Sequence, residues 1–296
     1  MTTGVVLMSY GSPSGPEDLE RYYTDIRRGR PPSPEQLDEL RARYEAIGGI
    51  SPLAERTRAQ AAGVQRALDA AAPGRFRVWS GAKHSAPSIE DAVAEAAAGA
   101  DRLVALVLAP HYSALSVGEY MERAEAAAHG AGVEVRGVRS WHLEAGFVGA
   151  LADRLTSALA PLSGEAHTLF TAHSLPSRLV GMGDPYPDQL AETAAAVAAR
   201  AGVSRWSVAW QSAARTPEPW LGPDVVEAIG AAADEGARAV VVCPAGFTSD
   251  HLEILYDLDV VAREAAEKRG LRFVRTASLN DDPALCQALA RVIMGQ

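Results

Sequence analysis

His173 and Glu253 each follow an apolar, strand-like segment and are the residues best suited to chemistry. His173 follows segment 169–172, and Glu253 lies shortly after segment 239–245. An imidazole near neutral pH can accept a proton or bind a metal ion, and a nearby carboxylate can share both tasks. A histidine that hydrogen-bonds a loop carbonyl is an equally good interpretation of His173 from its position alone.

Glu253 also fits a structural role, because Asp250 and Glu253 have the spacing of a helix capping box. Ser116 and Glu119 have the same spacing. What favours chemistry is Asp257, one helical turn after Glu253 on the same face. Two carboxylates placed in this way repel each other unless a cation or a proton lies between them. Asp259 is expected on another face, in solvent.

A short basic segment, 26–30, contains three arginines in a protein that is acidic overall. Arginine binds carboxylates and phosphates through paired hydrogen bonds, so this segment and its polar neighbours are candidates for holding an anionic ligand. The candidates are Arg27, Arg28, Arg30, Arg43, Tyr44 and Ser51. A solvated surface run explains the charges equally well.

Further polar and aromatic groups follow predicted strands. Lys83 and His84 follow the second strand, where they either join a cleft or form a surface pair. Trp210, Ser212 and Trp220 offer a flat wall with hydrogen-bonding groups, although a lone tryptophan is more typical of core packing.

Composition and charge exclude several classes of protein. The net charge is −9, which argues against nucleic acid or an anionic membrane as the main partner. No apolar run reaches the ~20 residues of a membrane-spanning helix, and no signal-peptide pattern is present, so we expect a cytoplasmic protein. Cys243 and Cys286 are too few for an iron–sulfur cluster within one chain. The chain also lacks Walker, dinucleotide-binding, zinc-protease and α/β-hydrolase motifs.

Apolar strand-like segments alternate with helical segments along the chain. Strands are predicted at 5–8, 75–79, 103–109, 167–171, 206–210 and 239–243. Helices are predicted at about 33–47, from 51–52 onward, and at 88–98, 188–201, 224–233 and 250–268. The first helix opens with a capping box, Ser33-Pro34-Glu35-Gln36. This alternation predicts an α/β fold with parallel sheets.

The second half of the chain resembles the first. Residues 6–13 and 169–176 each combine a strand, a polar ring residue and a proline three residues later. Glu119 and Glu253 each lie nine residues after a proline that ends a strand. These matches predict two similar α/β halves.

Two such halves would bring their functional groups to one cleft. Ligands of open α/β sheets bind outside the carboxyl ends of the strands. Tyr10, His173, Glu119 and Glu253 all follow strand ends, so we expect them on opposite walls of a cleft between the halves. The expected boundaries are 1–145 for the first half and 146–282 for the second, with a last helix, 283–296, packing back on the first half.

Nine segments of the chain resemble motifs of the ferrochelatase family. They lie at 6–13, 22–30, 43–53, 108–112, 171–176, 183–190, 210–212, 220–224 and 250–253. The resemblance covers essentially the whole chain and is closest to the soluble type that acts on coproporphyrin III in monoderm bacteria. It implies a class II chelatase-like α/β fold, with two Rossmann-like halves, each a doubly wound parallel sheet, and a porphyrin cleft between them.

The resemblance also implies roles for the candidate residues. His173 and Glu253 would handle metal and protons on one face of the macrocycle, with Asp257 beside them, and Tyr10 would lie near the metal on the other face. The residues implied to hold the substrate are Arg27, Arg28, Arg30, Arg43, Tyr44, Ser51, Lys83, His84, Ser212 and Trp220. Fe(II) accepts imidazole and carboxylate ligands, and two pyrrole protons must leave when it enters the ring, so these residue types suit the chemistry.

The implied activity is insertion of Fe(II) into coproporphyrin III, which gives coproheme in heme biosynthesis. Fe(II) is then a substrate, and neither a permanently bound cofactor nor an iron–sulfur cluster is expected. Tyr10 favours the coproporphyrin type. The alternatives are a protoporphyrin IX ferrochelatase, a cobalt chelatase acting on a reduced tetrapyrrole, and a carrier that binds tetrapyrroles without catalysis.

The sequence departs from some members of that family in two places. Val261 stands where some relatives have a further carboxylate, which removes one ligand of a second, outer metal site. The residues after Pro13 are charged and lack the apolar lip of membrane-associated members. We therefore expect no membrane insertion and no nucleic-acid partner, and a transient transfer of product to a neighbouring enzyme of the heme pathway.

Overall fold

The computed structural model of the chain describes residues 2–162, 164 and 166–296. Within these residues the strands form two four-stranded parallel sheets. The first sheet, in the order β2-β1-β3-β4, contains β1 (Thr3–Ser9), β2 (Phe76–Ala82), β3 (Arg102–Val107) and β4 (Val135–Val138). The second, in the order β6-β5-β7-β8, contains β5 (Ala166–His173), β6 (Trp206–Gln211), β7 (Ala239–Cys243) and β8 (Arg272–Arg275).

The strand order is the same in both sheets, which confirms the predicted α/β fold of two similar halves. The central strands β1 and β7 are buried along their whole length. Strands covered by helices on both faces read as continuous apolar runs, and this is why they were visible in the sequence. The short edge strands β4 and β8 were not predicted, because each has only four residues and a mixed composition.

Helices cover the sheets and connect their strands. They are α1 (Leu19–Ile26), α2 (Pro34–Ala46), α3 (Leu53–Ala71), α4 (Ile89–Gly99), α5 (Glu119–Gly130), α6 (Ala145–Leu159), α7 (Arg178–Gly181), α8 (Tyr186–Ala201), α9 (Val225–Asp234), α10 (Arg263–Lys268) and α11 (Pro283–Met294). The capping box predicted at Ser33 is present, with the Gln36 amide donating to the Ser33 hydroxyl over 3.3 Å. Among the described residues, no helix combines the length and hydrophobicity needed to cross a bilayer.

Two helices open with a π-helical segment in place of α-helix. One covers Ala114–Gly118 before α5, and the other covers Ile254–Ala262 before α10. The helix predicted over 250–268 is therefore present from residue 252 onward, but it is π-helical over Ile254–Ala262. π-Helical turns are rare and concentrate at functional sites.

The alternative interpretation of Glu119 and Glu253 as members of helix capping boxes does not hold at either segment. Ser113, not Ser116, caps the first segment by accepting a hydrogen bond from the Leu115 amide over 3.1 Å. The Asp250 carboxylate instead accepts hydrogen bonds from distant residues, and the Glu253 side chain is free of any capping role.

The last helix connects the two halves. Helix α11 packs against α3, which follows the first strand, and against α6, which precedes the second sheet. One hydrophobic cluster contains side chains of β1, β5 and α11, including Leu7, Phe170 and Leu289. The helix thus belongs to a core shared by both sheets, and the boundary at residue 145 stays a prediction.

Candidate active site

The functional groups gather at the carboxyl ends of the strands of both sheets. Tyr10 follows β1, His173 ends β5, and Glu253 directly precedes the π-helical segment after β7. The Tyr10 side chain is 42% exposed, but the surrounding protein desolvates its phenol enough to raise the pKa. The charges of Glu253 and Glu119 raise that pKa further, so carboxylates from both halves act on Tyr10.

His173 and Glu253 form a pair with a defined orientation. The Nδ1 of His173 lies at hydrogen-bond distance from the Ser174 carbonyl oxygen, which can only accept, so Nδ1 carries a proton. The other ring nitrogen, Nε2, lies 3.5 Å from Glu253 Oε1. Burial alone would lower the pKa of His173, but the charge and hydrogen bond of Glu253, the Ser174 carbonyl and the charge of Asp257 together raise it to about 9.

A second histidine, His251, contacts the other oxygen of Glu253. Its Nε2 lies 3.5 Å from Glu253 Oε2, and its Nδ1 donates to the Ser249 carbonyl over 3.0 Å. Burial alone would raise the pKa of Glu253, but the two histidines hold it well below its usual range. Sequence reasoning missed His251 as a site residue, although its place two residues before Glu253 in the motif 250–253 was a usable signal.

Asp257 is held by residues from both halves. Arg43 Nη2 lies 2.8 Å from Asp257 Oδ1, and the Ser212 hydroxyl donates to Oδ2. The guanidinium of Arg43 also lies over the Tyr256 ring, 5.0 Å from its centre. Burial raises the pKa of Asp257, and Glu253 raises it too, whereas Arg43 lowers it. Arg43 is thus a cation beside one of the two carboxylates that share this face.

Asp259 is not solvated as predicted. Its two carboxylate oxygens accept hydrogen bonds from Arg275 Nε and Nη2, each over 2.8 Å. The prediction failed because Arg275 lies on β8, an edge strand that the sequence did not reveal.

The opposing wall, contributed by the first half, is rich in paired charges. The Tyr10 ring lies edge-on to the His84 ring with 4.6 Å between centres. His84 Nδ1 lies 2.6 Å from Asp25 Oδ2, but burial outweighs this contact and lowers the pKa of His84. Lys83 forms an ion pair with Glu119, and Arg28 Nη2 lies 3.3 Å from the same carboxylate.

The remaining residues predicted to bind substrate make fewer contacts with His173, Glu253 and Asp257. Arg27 packs over the Tyr23 ring and donates to the Arg30 carbonyl over 3.2 Å, so these two arginines form a turn after α1. Tyr44 is buried, and burial raises the pKa of its phenol, as does the charge of Glu253.

Ser51 and Trp220 lie at the edges of this region. Ser51 is buried, accepts from the Leu53 amide over 3.3 Å and lines a cavity of about 750 Å³ that also contains Ser12 and Arg58. The Trp220 indole donates to Thr216 over 2.8 Å, whereas Trp210 packs in the core against Tyr186. The flat wall predicted from both tryptophans is therefore reduced to Trp220.

Gln211 is a further residue that sequence reasoning missed. It is fully buried at the end of β6, and its amide donates to the Glu253 backbone carbonyl over 3.1 Å. This bond ties the turn that carries Glu253 to the second sheet. Among the described residues, no cluster of three or more His, Cys, Asp or Glu side chains forms a ready metal centre.

Comparison with known proteins gives consistent matches over the whole chain. The ferrochelatase family model matches residues 2–296. The coproporphyrin III ferrochelatase of Anoxybacillus flavithermus is 46% identical over 299 residues, which cover 98% of this chain and 95% of that protein. The coproporphyrin III ferrochelatase of Bacillus subtilis is 44% identical, with 98% and 96% covered. The solved structure of SirB from Bacillus subtilis with Fe3+ shares the fold, with a TM-score of 0.58 at 12% identity and with 99% and 95% covered.

Proposed function

The chain belongs to the ferrochelatase family, and we propose that it inserts Fe(II) into coproporphyrin III to form coproheme in heme biosynthesis. The observation that carries this proposal is the placement of Glu253 between two histidines, His173 and His251, within electrostatic reach of Tyr10 from the other half. The high identity to coproporphyrin III ferrochelatases supports the choice of substrate.

The reaction exchanges two pyrrole protons for one Fe(II) ion. The protein must therefore offer groups that bind a divalent ion transiently and groups that accept two protons. His173 presents Nε2 beside Glu253, and both are established ligand types for Fe(II). We assign them the metal- and proton-handling roles, with Asp257 further along the same wall.

Tyr10 is the group proposed for the opposite face of the macrocycle, near the metal. The raised pKa of its phenol keeps the hydroxyl protonated at neutral pH, so Tyr10 approaches the ring as a neutral group. A neutral hydroxyl contacts the ring or the metal without attracting the ion away from His173 and Glu253. Tyr10 thus completes the site without competing with His173 and Glu253 for the metal ion.

The rim of the cleft supplies groups for the four propionates of coproporphyrin. Arg43 contacts Asp257 through Nη2 while 28% of its side chain stays exposed, so its guanidinium can serve Asp257 and a propionate together. The other residues proposed to hold the substrate are Arg27, Arg28, Arg30, Tyr44, Ser51, Lys83, His84, Ser212 and Trp220. We further propose that the enzyme needs no resident cofactor, works in the cytoplasm and passes coproheme to a neighbouring enzyme of the pathway.

Anaerobic visible spectroscopy tests the function directly. The protein is mixed with Fe(II) and, in parallel, with coproporphyrin III or protoporphyrin IX. Rapid loss of the free-base bands with coproporphyrin III alone is the expected result. Metallation of protoporphyrin IX alone would refute the substrate assignment, and a shifted spectrum without metallation of either would indicate a carrier.

A further inference from the structure

Arg275 lies behind the segment that carries Glu253 and Asp257. It is the last residue of β8, and only 13% of its side chain is exposed. Its guanidinium donates two hydrogen bonds of 2.8 Å each to the Asp259 carboxylate. Its third nitrogen, Nη1, lies 3.3 Å from Asp250 Oδ1. One buried arginine thus joins two carboxylates that lie on either side of Glu253 and Asp257 in the chain.

Asp250 is fixed from a second direction. The Ser278 hydroxyl donates to Asp250 Oδ1 over 2.7 Å, and the Asn280 side-chain amide donates to Oδ2 over 3.0 Å. The Asn280 oxygen in turn accepts from the Asp250 backbone amide over 2.9 Å. The start of the segment is therefore attached to the loop that follows β8, the strand that carries Arg275.

The segment between these attachments is π-helical over Ile254–Ala262. Long π-helical runs are rare, so this conformation depends on contacts with the rest of the fold. Relaxation to an α-helix would change which side chains share a face and would move Asp257 relative to Glu253. The contacts of Arg275 with Asp250 and Asp259 resist that change.

The carboxylates of this segment differ in the partners that balance their charge. Four carboxylates lie between residues 250 and 259, and three of them are paired with an arginine. Asp250 and Asp259 are paired with Arg275, and Asp257 is paired with Arg43. Glu253 is paired with two histidines instead of an arginine. Imidazole is itself a ligand type for Fe(II), so an incoming cation meets this carboxylate beside further ligand groups and not beside a guanidinium.

We propose that Arg275 is a positioning residue for metal insertion. By holding Asp250 and Asp259 together, it fixes the π-helical segment so that Glu253 and Asp257 face the cleft, and it neutralises the two carboxylates that would compete for the ion. The inference rests on the proposed function, in which Glu253 handles the metal.

The test compares Arg275→Gln with the matched variant Arg263→Gln. Arg263 also contacts Asp259, at 3.8 Å from its carboxylate and through a 3.0 Å hydrogen bond to its backbone carbonyl, but it is 48% exposed and has no described contact with Asp250. We expect kcat/KM for Fe(II) to fall by about 10- to 100-fold in Arg275→Gln, the usual loss when a ligand loses its supporting partner. Coproporphyrin binding, measured by fluorescence quenching, should stay unchanged in both variants, and Arg263→Gln should metallate like the wild type.

Two milder variants keep the proposal testable if Arg275→Gln does not fold. Ser278→Ala removes one hydrogen bond to Asp250, and Arg275→Lys keeps the charge but cannot grip both carboxylates. Both should raise KM for Fe(II) with unchanged porphyrin binding, and Arg275→Lys should retain more activity than Arg275→Gln.

The results can separate failure of the positioning role of Arg275 from failure of the proposed function. Wild-type metallation together with an unchanged KM for Fe(II) in the Arg275 variants would overturn the positioning role only. Parallel loss of porphyrin and Fe(II) binding, or an equal loss in Arg263→Gln, would also overturn it. A wild-type protein that metallates neither porphyrin would overturn the proposed function itself.

Discussion

The two walls of the cleft occupy matching places in the two halves but differ in charge. Tyr10 follows β1, and His173 ends the equivalent strand β5. Glu119 and Glu253 lie beside the two π-helical segments, which follow the equivalent strands β3 and β7. The backbone plan is thus shared, and the chemistry differs through the side chains that surround each glutamate.

The partners of the two glutamates explain the difference. Glu119 is paired with Lys83 and Arg28, which are cationic side chains and not metal ligands. Glu253 is flanked by His173 and His251, whose imidazoles are a ligand type for divalent metal ions. We therefore expect a carboxylate in this framework to handle metal only where its partners can bind the ion as well. Variants of residues on both walls test this difference.

The largest effect is expected from removing the charge of Glu253. Glu253→Gln should lower kcat for iron insertion by about 100- to 10,000-fold, the range for loss of a group that transfers protons. Glu119→Gln, at the matching place, should stay within a few-fold of the wild type because its charge is already neutralised. Anaerobic kinetics on both variants provide the check, and equal losses would remove the contrast between the walls.

The pH dependence should follow the titration of His173. Because its pKa is raised to about 9, His173 is protonated below that pH and must lose its proton before it can bind Fe(II) or accept a pyrrole proton. The metallation rate should therefore rise with pH toward 9. In Glu253→Gln the burial of His173 is opposed only by the Ser174 carbonyl and the charge of Asp257, so its pKa should fall. NMR titration of the imidazole in both proteins measures the shift, and an identical titration would contradict it.

A smaller effect is expected at Asp257. Arg43 and Ser212 already engage its carboxylate, so its charge contributes less to the cleft than that of Glu253. Asp257→Asn should lower kcat/KM for Fe(II) by about 10-fold, the lower end of the range for outer partners of a metal site. Steady-state kinetics with varied Fe(II) measure this loss. A loss as large as that of Glu253→Gln would show that the two carboxylates act as one unit.

The smallest effect is expected at Tyr10. Tyr10→Phe keeps the ring beside His84 and removes a neutral hydroxyl, so the loss of activity should be about 10-fold or less, the size of one neutral hydrogen bond. The ratio of rates with coproporphyrin III and protoporphyrin IX should fall at the same time. An unchanged ratio would separate Tyr10 from the choice of substrate.

The sequence was most informative where local patterns decide the structure. Strand β7 was predicted at its observed bounds, because five buried apolar residues in a row suit a central parallel strand. Helix α2 was predicted with its capping box, because Ser33, Pro34 and Gln36 act through local contacts alone. The pairing of His173 with Glu253 followed from the repeat and from the family resemblance.

Contacts between distant residues explain what was missed. The capping box at Asp250 did not form because Ser278 and Asn280, far along the chain, hold its carboxylate instead. Asp259 was placed in solvent because its partner Arg275 lies on an unpredicted strand. We propose that the π-helical conformation of this segment depends on the same contacts, which would explain why no local pattern revealed it.

The packing of helix α11 determines whether either half of the chain can fold as a separate fragment. It closes the core over α3, so tightly that a methyl group added at Gly63 would meet the sulfur of Cys286. It also contacts α6, so neither half has a complete core of its own. A fragment cut near residue 145 would leave an apolar face of α3 uncovered, and it should aggregate when made alone. We therefore expect the two halves to be inseparable and to unfold together in one cooperative transition.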